Sequence, residues 1–264
     1  MDQSLIKPEQ VARTLVNSRS LITVMGNVTI PGSDIMIDYY INHFRKEILI
    51  IHFKHGTSYV TNVLKDQGTW IYGRREINAK GVDETLAFKK LQVFHSRYED
   101  YTKFITTRDV EKSFVSGFCY EMRTGLSSFI VDETQTKSEY SEMLKGFVEL
   151  AGGPKQMIDR WMNKMIRSNG TFMSVFYAHA FPDVVNSIIE EVDCTIPINQ
   201  LAKFFTDRDI EVPDKVANET NKMIQETTME VFKEIGVIDY LKFSCPQQYE
   251  YKAKLLEKPL YDTI

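Results

Sequence analysis

A cation, a glycine and two hydroxyls follow the most apolar run of the sequence. The run is Ile48-Leu49-Ile50-Ile51-His52-Phe53, and the next residues are Lys54, His55, Gly56, Thr57 and Ser58. A short, continuously apolar run is typical of a strand buried on both faces of a parallel sheet. Residues 58–65 then predict a helix. A loop between a strand and a helix presents backbone N–H groups and the positive end of the helix dipole, so the segment predicts a phosphate-binding loop.

The order of the residues in this loop excludes a Walker A motif. In that motif a lysine follows the last glycine and is itself followed by serine or threonine. Here Lys54 precedes Gly56. A small nucleoside or metabolite kinase stays an alternative because it shares the strand, the loop and the helix, but its magnesium site is also missing from the sequence pattern.

A second candidate phosphate ligand, Arg108, follows another apolar segment. Lys103 to Thr107 predicts a strand and Ser113 to Met122 predicts a helix, on which Ser116 stands eight residues after Arg108. An arginine offers a phosphate two parallel N–H donors, and a hydroxyl on the following helix adds another donor. The alternative role for Arg108 is a structural ion pair at the end of a strand.

Both segments resemble the donor-binding motifs of the PAPS-dependent sulfotransferase superfamily, where PAPS is 3′-phosphoadenosine 5′-phosphosulfate. The family's 5′-phosphosulfate loop reads Pro-Lys-x-Gly-Thr-Thr/Ser-Trp. Residues 53–59 match it with Phe53 in place of proline and Tyr59 in place of tryptophan. The family's 3′-phosphate segment is a strand, then Arg-Asp/Asn-Pro, then a helix that carries a serine. Residues 104–116 match it with Val110 in place of proline.

This resemblance implies a reaction and a set of binding residues. The reaction is transfer of a sulfuryl group from PAPS to a hydroxyl or amine, with PAP as the product and without a metal ion. Lys54 is implied to stabilise the charge that grows on the leaving nucleotide, and Arg108 with Ser116 to hold its 3′-phosphate. The donor-binding residues implied by the resemblance are Lys54, His55, Gly56, Thr57, Ser58, Arg108 and Ser116.

The resemblance also implies that His95 is the catalytic base. Residues 91–95 predict a strand that ends in this histidine, just ahead of the strand that leads to Arg108. In the cytosolic branch of the family a similar strand ends in the histidine that removes the acceptor's proton. The carbohydrate branch often uses a glutamate instead, which keeps Glu76 and Glu99 as alternatives.

The resemblance covers only part of the chain. It is specific over residues 46–66 and 91–122 and faint over 190–243. A later family segment that helps to bind the nucleotide is not placed, and the region of Tyr249 and Tyr251 is its candidate. The acceptor is expected to be a carbohydrate or a small molecule, but no pattern in the sequence identifies it.

Composition limits the remaining function classes. The 264 residues carry a net charge of −4 with 43% hydrophobic content, so they lack the basic excess of a nucleic-acid-binding protein. The three cysteines are widely spaced and suggest neither a disulfide framework nor a metal cluster. No apolar run is long enough to span a membrane, and we expect a cytoplasmic protein.

Alternating strand and helix patterns predict the fold class. We expect one α/β domain over residues 1–264, with a mainly parallel central sheet flanked by helices in a P-loop-like sulfotransferase fold. A non-catalytic module with this fold is a further alternative, because Phe53 and Val110 depart from the family motifs.

Overall fold

The computed structural model describes residues 34–51, 55–65, 67–78, 96–124, 136–159, 182–213 and 221–263. These residues fall into two compact units, each built from separate stretches of chain. The sheet unit comprises the described residues within 32–113, 165–219 and 245–264, and the helical unit those within 114–164 and 220–244. The prediction of one domain over 1–264 stays a prediction.

The sheet unit contains a five-stranded sheet in the order β3-β1-β2-β4-β5. Its strands are β1 Asp34–Asn42, β2 Glu47–Ile51, β3 Ile71–Asn78, β4 Thr102–Thr107 and β5 Cys194–Pro197. The helices of the described residues include α1 Thr57–Leu64, α2 Val110–Thr124, α3 Lys137–Leu150, α4 Pro182–Glu191, α5 Leu201–Thr206, α6 Lys222–Glu234, α7 Val237–Ser244 and α8 Pro246–Leu256. The α/β class is therefore confirmed.

The sheet was predicted to be mainly parallel, but in the described part of the chain it is mixed, because two of its four strand pairs are antiparallel. β1 pairs antiparallel with both β2 and β3, whereas β2–β4 and β4–β5 are parallel. The reason is the short connection at residues 43–46, which joins β1 to β2. Only an antiparallel pair can be joined by so tight a turn, since parallel strands need a long crossover. Lys46 adopts the left-handed conformation that closes this turn, with φ 52°.

Strand β2 lies at the centre of the sheet and is buried on both faces, as its apolar run predicts. Ile48 and Ile50 pack in a cluster with residues of α4 and α8, such as Ile188 and Tyr251. On the opposite face, residues of β2 pack in a second cluster with residues of α1 and α5. The central position of β2 brings the loop that follows it to the middle of the sheet edge.

We call the edge where the parallel strands begin the amino edge and the edge where they end the carboxyl edge. At the amino edge, Arg208 donates from Nε and Nη2 to the two carboxylate oxygens of Glu47, each at 2.9 Å. Its guanidinium also lies 3.7 Å from the ring centre of Phe204. This bidentate, mostly buried ion pair joins the turn after α5 to the start of β2.

The helical unit has a core of its own. Phe118 of α2 packs edge-on against Phe232 of α6 at 4.9 Å between ring centres. The hydroxyl of Thr228 donates to the carbonyl of Ile224 and lies 2.9 Å from the hydroxyl of Tyr140. Burial raises the pKa of Tyr140, so its phenol stays protonated and donates to Thr228. The polar groups of this core are thus paired within the unit.

Candidate functional site

Two of the sequence-predicted segments meet at the carboxyl edge of the sheet. β2 and β4 are parallel neighbours, with Ile50 opposite Ile105. The chain leaves β2 toward α1 and leaves β4 toward α2, so residues 55–58 and Arg108 emerge side by side. In open α/β sheets, the crevice outside the carboxyl ends of the strands is the common place for a ligand.

Gly56 sets the shape of the loop that precedes α1. It caps the helix in the left-handed conformation, with φ 96°. A Cβ atom at this position would lie only 2.7 Å from Cδ1 of Leu201 in α5. Glycine is therefore required for two separate reasons, a backbone angle that other residues avoid and a close approach by a neighbouring helix.

The amino end of α1 has the character of an anion-binding position. Gly56 supplies no side chain to cap the helix, and no acidic residue occupies the first turn. The first N–H groups of an α-helix lack intrahelical acceptors and carry the positive end of its dipole. The side chains here are hydroxyls, with Ser58 exposed and Thr57 partly exposed. A phosphate fits this set of donors.

His55 has a different environment from the rest of the loop. Its side chain is 6% exposed. Its Nδ1 lies 3.1 Å from the carbonyl oxygen of Thr106, and its Nε2 lies 3.2 Å from the hydroxyl of Ser113. Because a carbonyl only accepts, Nδ1 carries the proton and donates, and the hydroxyl of Ser113 donates to Nε2.

The imidazole of His55 is held neutral. Burial lowers its pKa to about 3, the bond to the carbonyl of Thr106 opposes this shift, and the positive charges of Arg108 and Lys252 add to it. His55 was predicted to bind the donor. Its backbone belongs to the loop, but its side chain faces β4 and α2, and the prediction stays a prediction.

Arg108 stands between β4 and α2 and is partly exposed. The next residue, Asp109, begins α2 by accepting a hydrogen bond from the backbone N–H of Lys112 at 3.0 Å. Ser113 bonds to His55 and is 3% exposed. The structure therefore gathers the α1 end, Arg108 and Ser113 at one edge.

Of the other two predicted donor ligands, Lys54 and Ser116, the structure describes only Ser116. Ser116 is 8% exposed and lies farther along α2, in the helical unit. Lys54 and His95 lie outside the described residues. Glu99 precedes β4 and is therefore at the amino edge, about 20 Å from the end of a six-residue strand. That position argues against Glu99 as the base.

Sequence reasoning missed Lys252, which α8 brings to the same edge. Burial lowers the pKa of Lys252 to about 8, and the carboxylate of Asp109 partly offsets this effect. Tyr249, one turn earlier on α8, has its pKa raised by burial and by the carboxylates of Glu111 and Asp109. The sequence had already indicated the region of Tyr249 as a candidate segment, and Lys252 stands only three residues farther along the same helix.

Comparisons with known proteins identify no relative. No family model, no curated protein and no solved structure matches this chain. Among the described residues, no three His, Cys, Asp or Glu side chains are grouped to hold a metal ion. No helix in the described ranges is long and apolar enough to cross a bilayer.

Proposed function

We propose that the protein is a PAPS-dependent sulfotransferase whose donor binds at the carboxyl edge of β2 and β4. The observation that carries the proposal is the meeting of two motif segments at one edge. The uncapped amino end of α1 and Arg108 come from distant parts of the sequence, and parallel neighbouring strands deliver both. A P-loop-like sulfotransferase fold belongs to this proposal.

The residues at the edge fit a ligand with two separate phosphates. The N–H groups and hydroxyls at the start of α1 suit the 5′ end of the donor, where a compact group of donors meets a tetrahedral anion. Arg108 suits the 3′-phosphate, since its guanidinium binds two oxygens at once. Ser116 is proposed as a further donor to the same phosphate.

The proposed chemistry is an in-line displacement at sulfur. A bond forms between the acceptor oxygen or nitrogen and sulfur, while the bond from sulfur to the bridging phosphate oxygen breaks. The acceptor's proton passes to a base, proposed to be His95, and the negative charge left on the phosphate is stabilised by Lys54 and the loop N–H groups. Donors placed where charge develops lower a barrier most effectively.

The test is a thermal-shift titration with PAP, ADP and Mg-ATP. A ligand that binds only the folded protein raises its stability by RT ln(1 + [L]/Kd). We expect PAP to raise the melting temperature much more than ADP does. An equal shift with ADP removes the case for a 3′-phosphate site, and a larger shift with Mg-ATP favours a kinase.

Turnover is tested separately, by incubating pools of carbohydrates and small molecules with labelled PAPS and protein. Mass spectrometry should detect an acceptor that gains one sulfuryl group. Binding of PAP without any such product favours the non-catalytic alternative.

A further inference from the structure

We propose that His55 is a positioning residue that fixes the phosphate-binding loop against Arg108, so that one nucleotide can contact both. The inference rests on the proposed function and deepens it. It gives the side chain of His55, at the variable position of the family's loop motif, a positioning role that differs from the donor contact implied by the resemblance.

The hydrogen bonds of His55 fall on both sides of Arg108 in the sequence. Thr106, two residues before Arg108, supplies the carbonyl that accepts from Nδ1. Ser113, five residues after it, supplies the hydroxyl that donates to Nε2. The buried ring thereby links the residue next to Gly56 to the end of β4, just before Arg108, and to the start of the helix after it.

These bonds connect segments that are far apart along the chain. His55 is separated from Thr106 by 51 residues and from Ser113 by 58. Leu201 of α5 also approaches this loop, since a Cβ atom at Gly56 would lie 2.7 Å from its Cδ1. The distance between the α1 end and Arg108 therefore depends directly on His55.

A fixed distance matters for a ligand that carries two phosphates. Once one phosphate is bound, the second binds as an intramolecular event, and its gain in affinity depends on how well the two positions are held in place. A ligand with one phosphate gains nothing from that spacing. The signature of a positioning role is thus a change in the preference for PAP over 5′-AMP.

The neutral state of the ring supports this role. Protonated Nε2 would no longer accept from Ser113, and the bridge would lose one of its bonds. The charged groups that face the ring, Arg108 from the segment after β4 and Lys252 from α8, both disfavour that proton. The two cations that would hold an anion also keep the bridge intact.

The experiment measures the affinities of wild-type protein and variants for PAP, 5′-AMP and 3′-AMP by calorimetry. His55→Asn keeps a donor near the carbonyl of Thr106 and removes the bond to Ser113, and Ser113→Ala removes the same bond from the other side. We expect each to reduce the preference for PAP over 5′-AMP roughly tenfold, the usual effect of one buried hydrogen bond, and to leave the affinity for either single phosphate nearly unchanged.

The double variant His55→Asn/Ser113→Ala should lose no more of the preference for PAP over 5′-AMP than either single variant, because all three variants lose the same hydrogen bond. Ile188→Val is the matched control. It lowers the stability of the same unit from a buried position, 2% exposed, in the cluster that α4 forms with β2 and α8. It should leave the preference for PAP as it is in the wild type.

The outcomes separate the two proposals. A wild-type protein that prefers PAP, together with folded variants that keep this preference, overturns the role of His55 alone. A wild-type protein without that preference removes the proposed function and this inference with it. Circular dichroism establishes that each variant is folded, and Ser113→Ala decides the question if His55→Asn does not fold.

Discussion

The two edges of the parallel sheet use arginine in opposite ways. At the amino edge, Arg208 is bonded to both carboxylate oxygens of Glu47 and donates to the backbone carbonyl of Phe204. Its guanidinium also stacks on the ring of Phe204. At the carboxyl edge, Arg108 lies near a second cation, Lys252, and both are close enough to His55 to lower its pKa. At the amino edge one arginine is matched by one carboxylate, whereas at the carboxyl edge two cations lie around His55 and the carboxylate of Asp109 lies near Lys252.

The contrast shows how a structural arginine can be told from a binding one. Arg208 stabilises the fold because its charge is matched by a buried carboxylate. Cations placed near one another and partly withdrawn from water cost stability, and such perturbed groups are typical of functional sites. The carboxyl edge is therefore expected to bind a ligand and the amino edge to hold the sheet unit together, and substitutions at the two edges test this difference.

The largest expected effect is the loss of turnover when the proposed base, His95, is substituted. His95→Asn should lower sulfuryl transfer by roughly 10²–10⁴-fold, the usual contribution of a general base, without weakening PAP binding. Glu99→Gln, at the amino edge, should change the rate little. Steady-state rates with a saturating acceptor measure both effects, and a normal rate for His95→Asn would move attention to Glu76.

Substitution of Arg208 should affect mainly the stability of the protein, and substitution of Arg108 mainly the binding of PAP. Arg208→Ala leaves the Glu47 carboxylate buried without its partner and should cost roughly 3–5 kcal/mol in the free energy of unfolding. Arg108→Ala should leave stability nearly unchanged and weaken PAP binding strongly. Urea titration and calorimetry on both variants measure these quantities. Equal losses of stability would mean that Arg108 is a structural residue as well.

Gly56→Ala tests the shape of the carboxyl edge. It forces a left-handed backbone on alanine and a Cβ against Leu201, with an expected cost of about 2–4 kcal/mol in stability. Gly68→Ala is the control, because a Cβ there meets nothing within 4 Å. Thermal unfolding of the two variants should differ clearly, and a Gly56→Ala protein as stable as the wild type would contradict the described loop.

Acid should weaken the carboxyl edge through His55. The folded-state pKa of His55 is about 3, below its ordinary 6.5, so between these values the unfolded chain binds the extra proton. Stability from this group is complete above pH 6.5 and falls as the pH is lowered, by up to about 1.4 kcal/mol per pH unit. His55→Asn should flatten the dependence, measured by urea titration from pH 7 to 4.5. Identical slopes would show that other groups dominate.

The smallest effect is expected at Lys252. A bound phosphate favours the charged amine, so PAP affinity should fall as the pH rises through about 8. Lys252→Met should remove this pH dependence and weaken PAP binding by up to about fivefold, which is the usual contribution of a partly exposed pair of opposite charges. Lys254→Met is the matched control on the same helix, where the amine bonds instead to Asn186 at 3.0 Å. A similar pH profile for wild type and Lys252→Met would exclude Lys252 from the site.

The sequence predicted the parts of the sheet that rest on local patterns. The apolar run of β2, the strand before Arg108 and the helices after both strands are confirmed, because each is encoded in contiguous residues. The antiparallel half was missed because the turn at residues 43–46 carries no glycine or proline signal. Its left-handed residue is a lysine, which gives no indication of that conformation.

The site was predictable only where its residues sit in motifs. Arg108 directly follows β4 and Gly56 comes five residues after the end of β2, so proximity in the sequence places both at the edge. The internal bonds of His55 and the approach of Lys252 depend on residues many positions away, and no local pattern encodes such contacts. The sequence alone therefore gives no sign that Thr106 and Ser113 surround the imidazole of His55.

The ion pair between Arg208 and Glu47 also bears on how the chain folds. Its two residues are 161 positions apart, and β5 receives a hydrogen bond partner as late as the carbonyl of Pro259. The sheet unit therefore forms its stabilising contacts only after segments far apart in the sequence have met. Closing the chain over such long spans has an entropic cost that slows folding. During synthesis, β2 is therefore expected to stay unpacked until most of the chain has been made. Its apolar residues remain accessible to chaperones until α8 covers them.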